Sequence, residues 1–169
     1  EDIEKFISSF SRNTGLSVKR PNHALTACYR PSLHEVQVSK IELYATNEQY
    51  YSTFFHELTH STAKAMSRKT GTKMETELYS AEELVAEFGA LLLCEYFGIT
   101  KESSVQNSAT YIDGWKRFLA DNPQTLFTGI NAAFRAVNYM LEKGGLPKLY
   151  ENDEDVVVQS EEAQEKKTA

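Results

Sequence analysis

His56-Glu57-Leu58-Thr59-His60, embedded in the run Asn47-Glu48-Gln49-Tyr50-Tyr51-Ser52-Thr53-Phe54-Phe55 that precedes it, is the stretch on which the reading of this chain turns. Side chains four apart on a helix share a face, so both imidazoles can reach one cation while Glu57 is offset toward the open coordination position. HExxH on a helix is a zinc hydrolase signature, with the histidines as ligands and the glutamate as general base. The chain has four histidines, and chance would produce the pattern in about one in a hundred chains of such composition. Its weight therefore depends on the helix that carries it and on what faces that helix.

The carrier helix is expected from about Asn47 to about Lys69, with Asn47 as N-cap, Glu48 in the first turn and Gly71 just past the end. At about 100° per residue, Tyr51, Phe54, Phe55, Leu58, Ala65 and Met66 fall on one side, which reads as core. Ser52, Thr53, His56, Glu57, His60 and Ala63 occupy the other. Structural core histidines would sit on the apolar stripe. These two oppose it.

Two histidines do not complete a zinc site. The extended pattern HExxHxxGxxH needs a glycine at position 63 and a histidine at 66, where this chain has Ala63 and Met66, so the third ligand comes from elsewhere. Ser80 to Cys94 reads as a helix apolar nearly all round, hence buried, with Glu83 and Glu87 one turn apart and Ala86, Ala90 and Cys94 on or beside their face. Buried carboxylates without partners cost several kcal/mol or neutralise, so a pair of them on a close-packing face calls for a cation or strong donors. This assigns Glu83 as third ligand and Glu87 as acceptor for an imidazole N–H, fixing a tautomer. Ser80-x-x-Glu83 is equally a capping box, in which the glutamate only returns to the N-cap amide. Glu82, pointing toward the side of Gly89, is the weaker ligand candidate, and Glu87 could exchange roles with Glu83.

Several of these residues together resemble a known family. The segments Ala27-Cys28-Tyr29-Arg30-Pro31-Ser32, Gln49-Tyr50-Tyr51, His56 to Thr62, Tyr79 to Glu87, and Asn107-Ser108-Ala109-Thr110-Tyr111-Ile112-Asp113-Gly114-Trp115 are similar to the zincin-like metallopeptidase domain of ArdC-type antirestriction proteins, found also in polyvalent proteins of plasmids and phages. The resemblance covers roughly residues 24 to 142. It implies a His, His, Glu zinc site with Glu57 as base. Many relatives carry glycine where this chain has Ala63, which bears on local helix geometry more than on chemistry. In full-length ArdC-type proteins a separate N-terminal domain binds single-stranded DNA; no counterpart of it is expected within these residues, so DNA binding is expected from sequence outside this domain.

Charge agrees with that separation. The net charge is −6. Residues 151–169 hold seven acidic and two basic residues, leaving 17 acidic against 16 basic for the rest. A domain gripping phosphates by counterion release would show a positive excess, so no direct nucleic-acid binding is expected. The acidic tail reads as solvated and disordered, and residues 1–150 as one metallopeptidase domain with room for a real core. No stretch is long enough to span a bilayer. With only Cys28 and Cys94, reduced thiols in a cytoplasmic protein are expected rather than a disulfide scaffold.

The remaining elements predict an α+β, helix-rich, zincin-like fold with a small β-sheet beside the HExxH helix. Glu1 to Asn13 makes an amphipathic helix with Ile3, Phe6, Ile7 and Phe10 inward, stopped by Gly15. Short strands follow near Ala24 to Tyr29 and Glu35 to Ser39. The second is the candidate edge strand for pairing with substrate backbone, with an ordinary interior strand as the alternative. Helices are expected near Ser104 to Ala120 and from Pro123 to Lys143, the latter with Phe127, Ile130, Phe134, Val137 and Leu141 inward. On the former, Asn107, Tyr111 and Trp115 form a stripe in which Tyr111 is a candidate donor to the oxyanion that develops at an attacked carbonyl, with simple packing as the alternative. The expected function is a zinc-dependent peptidase acting on a protein or peptide. A zinc-bearing interaction module that binds a host protein without cleavage is the alternative.

Overall fold

The computed structural model of the chain describes residues 2–69, 76–99 and 123–150. The expected tail and the helix carrying Asn107, Tyr111 and Trp115 lie outside the described residues. Helix α1 spans Asp2–Thr14, with Asp2 and Glu4 in its first turn and Arg12 in its last, each charge placed to complement the helix dipole. It buries Phe6, Ile7 and Phe10 as expected. Gly15, at φ 71°, turns the chain out of the helix in a conformation that only glycine adopts without strain.

The sheet differs from the sequence reading in a way that matters for the site. A short first strand, β1 (Ser17–Lys19), was not expected; β2 spans Ala27–Arg30 and β3 spans Glu35–Val38. The order is β1-β3-β2, with β1 parallel and β2 antiparallel to β3. The strand assigned as the edge, Glu35 to Ser39, is therefore central. Val36 and Val38 are fully buried, as a strand flanked on both sides by others demands. Among the described residues β1 and β2 are the two edges, and β2 is the one that packs beside α2. The Ser39 amide bonds the Thr26 carbonyl at 2.9 Å, and antiparallel pairs alternate between bonded and non-bonded. With the register pairing Cys28 to Gln37 and Tyr29 to Val36, the amides of Ala27 and Tyr29 face away from β3.

Helix α2, Asn47–Ser61, starts one residue after its cap: Thr46, not Asn47, is the N-cap, its side chain accepting from the Gln49 amide at 3.1 Å. It also stops eight residues earlier than expected. The Ser61 hydroxyl donates to the Leu58 carbonyl at 2.6 Å and that of Thr62 to the Thr59 carbonyl at 2.7 Å, and such back-bonding competes with continuation of the helical ladder. The chain then closes in a tight turn with Ser67 at φ 53° and the Arg68 amide bonded to the Ala63 carbonyl at 2.8 Å. Ala65 and Met66 lie in this turn and contribute nothing to a helical core face. Tyr50 is buried where Tyr51 was expected; Phe54, Phe55 and Leu58 are buried as expected.

Two long helices cover α2. Helix α3 (Thr76–Tyr96) packs on α2 and on α4 (Pro123–Gly144). A Cβ on Gly89 would sit 2.5 Å from the Thr59 side chain, so only glycine lets α3 approach α2 this closely. The buried face of α4 is Gly129, Ala133, Ala136, Val137, Met140, Leu141 and Gly144. Phe127, expected inside, is 54% exposed. Val137 and Leu141 are buried as expected; the close crossings with α3 and α1 are made through glycines, Gly129 meeting Leu84 and Gly144 meeting Phe6. The core joins Phe6, Phe10, Tyr50, Phe54, Phe55, Leu58, Leu93, Met140 and Leu141 from the four described helices, with Val36 and Val38 from the sheet.

Candidate metal centre

The exposed turns of α2 face both the sheet edge and α3, and the two histidines meet there. Nε2 of His60 lies 3.1 Å from Nε2 of His56. Glu83 reaches in from α3, its carboxylate oxygens 3.5 Å from His56 Nε2 and 3.3 Å from His60 Nε2. Since α3 begins at Thr76, Ser80 lies inside the helix, and Glu83 is not returning to an N-cap. Among the described residues, His56, His60 and Glu83 form a group whose donor atoms lie within 4.8 Å of one another.

The spacing and chemistry of this donor set fit a metal ion. A tetrahedral ion with bonds of about 2.0–2.1 Å needs its ligands about 3.3 Å apart; the observed separations run from 3.1 to 3.5 Å. The outer nitrogens are also engaged, as ligating imidazoles require. His56 Nδ1 is 3.1 Å from Glu87 Oε1, and His60 Nδ1 is 3.2 Å from Glu82 Oε1. Both Nε2 atoms are thereby left directed at the shared space.

Without a cation, the carboxylates load these rings with protons. Burial alone would lower the His56 pKa, but hydrogen bonds to Glu83 and Glu87 and the charges of Glu87 and Glu57 raise it to about 10. His60 is raised likewise against its burial by Glu82 and Glu83. Glu83, despite desolvation, is held well below the usual carboxylate range by its hydrogen bonds to both imidazoles. Glu57 goes the other way: burial pushes it up, opposed by the two histidine charges and by the Tyr29 backbone amide that donates to it. Glu57 therefore stands between the histidines and the free edge of β2, at 9% exposure.

Two residues here escaped the sequence reading, and a third stands in another place than expected. Glu82, the weaker ligand candidate, has its carboxylate behind His60, at Nδ1; its position one residue before Glu83, about 100° round the helix, was the available signal. Arg68, assigned to the last turn of α2, instead folds back from the turn to grip Glu82 at 2.9 and 2.8 Å. The Tyr44 hydroxyl is buried without a hydrogen-bond partner among the described residues and feels the Glu57 charge. Tyr111 lies outside the described residues, so its place relative to this cluster is not part of the geometry. Cys94 is buried in α3, and neither it nor Cys28 forms a disulfide. No helix among the described residues is long and apolar enough to cross a membrane.

Known proteins share this arrangement of elements. The crystal structure of the antirestriction protein ArdC from plasmid R388 superimposes with a TM-score of 0.64 in its metal-free form, at 27% identity over 82% of this chain and 50% of that one. Its Mn(II)-bound structure gives 0.62 at 27% identity, over 81% and 51%. An Escherichia coli protein named DNA primase TraC is 29% identical over 117 residues, which is 68% of this chain and 8% of the relative. The chain thus spans about half of ArdC and a small part of TraC. With a match to the family running over residues 4–135, from α1 into α4, the chain belongs to the zincin-like metallopeptidases.

Proposed function

We propose that this domain is a zinc-dependent peptidase in which His56, His60 and Glu83 hold the ion and Glu57 is the general base. The observation that carries this reading is the convergence of two imidazole Nε2 atoms and the Glu83 carboxylate at 3.1–3.5 Å, with the Glu57 carboxylate close enough to feel both rings. Two imidazoles and one carboxylate suit zinc, although the ion in the ArdC crystal is Mn(II). When bound, the ion supplies a Lewis acid that lowers the pKa of water and polarises a scissile carbonyl. The chain's own residues do the rest. Glu87 and Glu82 hold the two rings by their outer nitrogens. Glu57 accepts the proton of the attacking water on its carboxylate and passes it to the departing amine. Burial favours that uptake, and the Tyr29 amide keeps the carboxylate oriented.

The substrate we propose is an extended stretch of protein. The outward amide of Ala27 and the outward carbonyls of Ala27 and Tyr29 on β2 can pair with a peptide backbone as an added strand, while the Tyr29 amide between them is taken by Glu57. Tyr111 keeps its assignment as oxyanion donor within this proposal. The ArdC relative is called an antirestriction protein, and we propose a corresponding role for this domain, in the cytoplasm, acting on a protein encountered by a mobile element rather than on nucleic acid.

Glu57→Gln tests the reading, because the amide keeps size and hydrogen bonding but cannot take up the water proton. Zinc content and melting temperature should match wild type while cleavage of a denatured protein substrate falls by roughly a hundredfold or more. If zinc is bound but wild type and Glu57→Gln cleave equally or not at all, while both confer the biological phenotype, the domain acts by binding a host protein.

A further inference from the structure

We propose that Arg68 is a positioning residue for the metal site: it fixes the Glu82 carboxylate so that His60 turns Nε2 toward His56 and Glu83. The inference rests on the reading that these three side chains hold an ion, and its test separates the two.

The guanidinium of Arg68 makes four hydrogen bonds. Nε donates to Glu82 Oε2 at 2.9 Å and Nη2 to Glu82 Oε1 at 2.8 Å, a planar fork matched to both oxygens of one carboxylate. The oxygen that takes the Nη2 bond is the one facing His60 Nδ1 at 3.2 Å. Nη1 donates to Thr62 Oγ1 at 2.8 Å and Nη2 to the Thr59 carbonyl at 3.0 Å, so the same group ties α3 to the end of α2 that carries His60. The side chains of Arg68, Glu82 and His60 are 11, 6 and 14% exposed.

A lone carboxylate at that depth would be free to rotate toward other donors and release the His60 ring. The bidentate clamp removes that option: both oxygens are fixed, and Oε1 is held where His60 Nδ1 meets it. Lysine could match the charge but not span the two oxygens. His56 has no such arrangement behind it. Its partner Glu87 is 32% exposed, and among the described residues no arginine or lysine pairs with it.

The experiment measures zinc affinity by chelator competition and follows the imidazole Nδ1–H resonances by NMR, in metal-free and zinc-loaded protein. Arg68→Met should weaken zinc binding by about 10 to 100-fold, the range for a change behind a ligand. It should shift or lose the His60 Nδ1–H resonance and leave that of His56 in place. Arg68→Lys should recover only part of the affinity. Thr62→Val, which removes one of the two ties to α2 and leaves the Glu82 clamp intact, should lower the melting temperature while zinc affinity and the His60 resonance stay as in wild type. Wild-type zinc affinity and an unmoved His60 resonance in Arg68→Met would make Arg68 a stabilising strap and overturn the proposal. If Arg68→Met does not fold, the same two results in Arg68→Lys overturn it. A wild-type protein that binds no zinc sinks the metal reading instead, and the His60 resonance in metal-free protein still decides the role of Arg68.

Discussion

His56 and His60 share a helix, a face and the Glu83 carboxylate, yet their outer nitrogens lead to different places. His60 backs onto a buried carboxylate gripped by arginine, at the end of α2 where the chain turns. His56, one turn earlier, backs onto Glu87 in a half-open position. The i, i+4 spacing makes two imidazoles equivalent on the helix; only tertiary contacts make them unequal. A motif therefore specifies which atoms converge, and the fold specifies how firmly each is held.

The largest effect expected is loss of the shared donors, which should treat the two sides alike. His56→Ala, His60→Ala or Glu83→Ala each leaves two ligands, and zinc content should fall from about one per chain to near zero after dialysis. Elemental analysis of folded variants checks this. Retention of stoichiometric zinc by Glu83→Ala would move the third ligand to another carboxylate.

Next comes the pH response of the metal-free protein. Folding raises the His56 pKa from 6.5 to about 10, so the folded state holds that proton more tightly than the unfolded chain. The resulting stabilisation is fully present below pH 6.5 and is lost as pH rises through about 10. The groups responsible are Glu83 and Glu87 from α3 and Glu57 beside it; His60 shifts in the same direction through Glu82 and Glu83. The melting temperature of stripped protein should therefore fall steadily between pH 6.5 and 10. Zinc loading should release protons at neutral pH and flatten that profile. A flat profile in stripped protein would mean that the carboxylates do not face the imidazoles as described.

The comparison sharpens further at the two outer carboxylates. Glu82→Gln and Glu87→Gln should both weaken zinc binding within about 10 to 100-fold, with Glu82→Gln near the top of that range because it also leaves Arg68 with a buried, unmatched charge. Equal losses would erase the asymmetry.

How much of this was legible beforehand follows from the range of each signal. The HExxH pair, the Glu83 and Glu87 face of α3, the core of α1, and Phe54, Phe55 and Leu58 on α2 are local patterns, and they were readable as such. The end of α2 was not, because Ser61 and Thr62 are tolerated in helices and only their observed back-bonding shows that they stop this one. The misplaced helix end hid Arg68. The order β1-β3-β2 depends on pairing across the chain, and a three-residue strand such as Ser17–Lys19 leaves almost no periodicity. On α4, Val137 and Leu141 were read correctly and Phe127 was not, because large apolar residues outrank glycine in a hydrophobic pattern, whereas the packed crossings are made where Gly129 and Gly144 leave space.

The smallest effect expected lies in the turn that delivers Arg68. Ser67 adopts φ 53°, a left-handed conformation that costs a residue with a Cβ about 1–2 kcal/mol. Glycine removes that cost but gives the unfolded chain more freedom, worth about 0.4–1 kcal/mol in the opposite sense. Ser67→Gly should therefore stabilise the protein by up to about 1 kcal/mol, a rise of roughly 2–4 °C in melting temperature for a domain of this size. Because the Arg68 amide keeps its bond to the Ala63 carbonyl, the guanidinium stays in place and zinc affinity should not change. A drop in zinc affinity with a raised melting temperature would show that the strained turn itself presses Arg68 onto Glu82, and that His60 is held more by tension in the backbone than by the matched charges beside it.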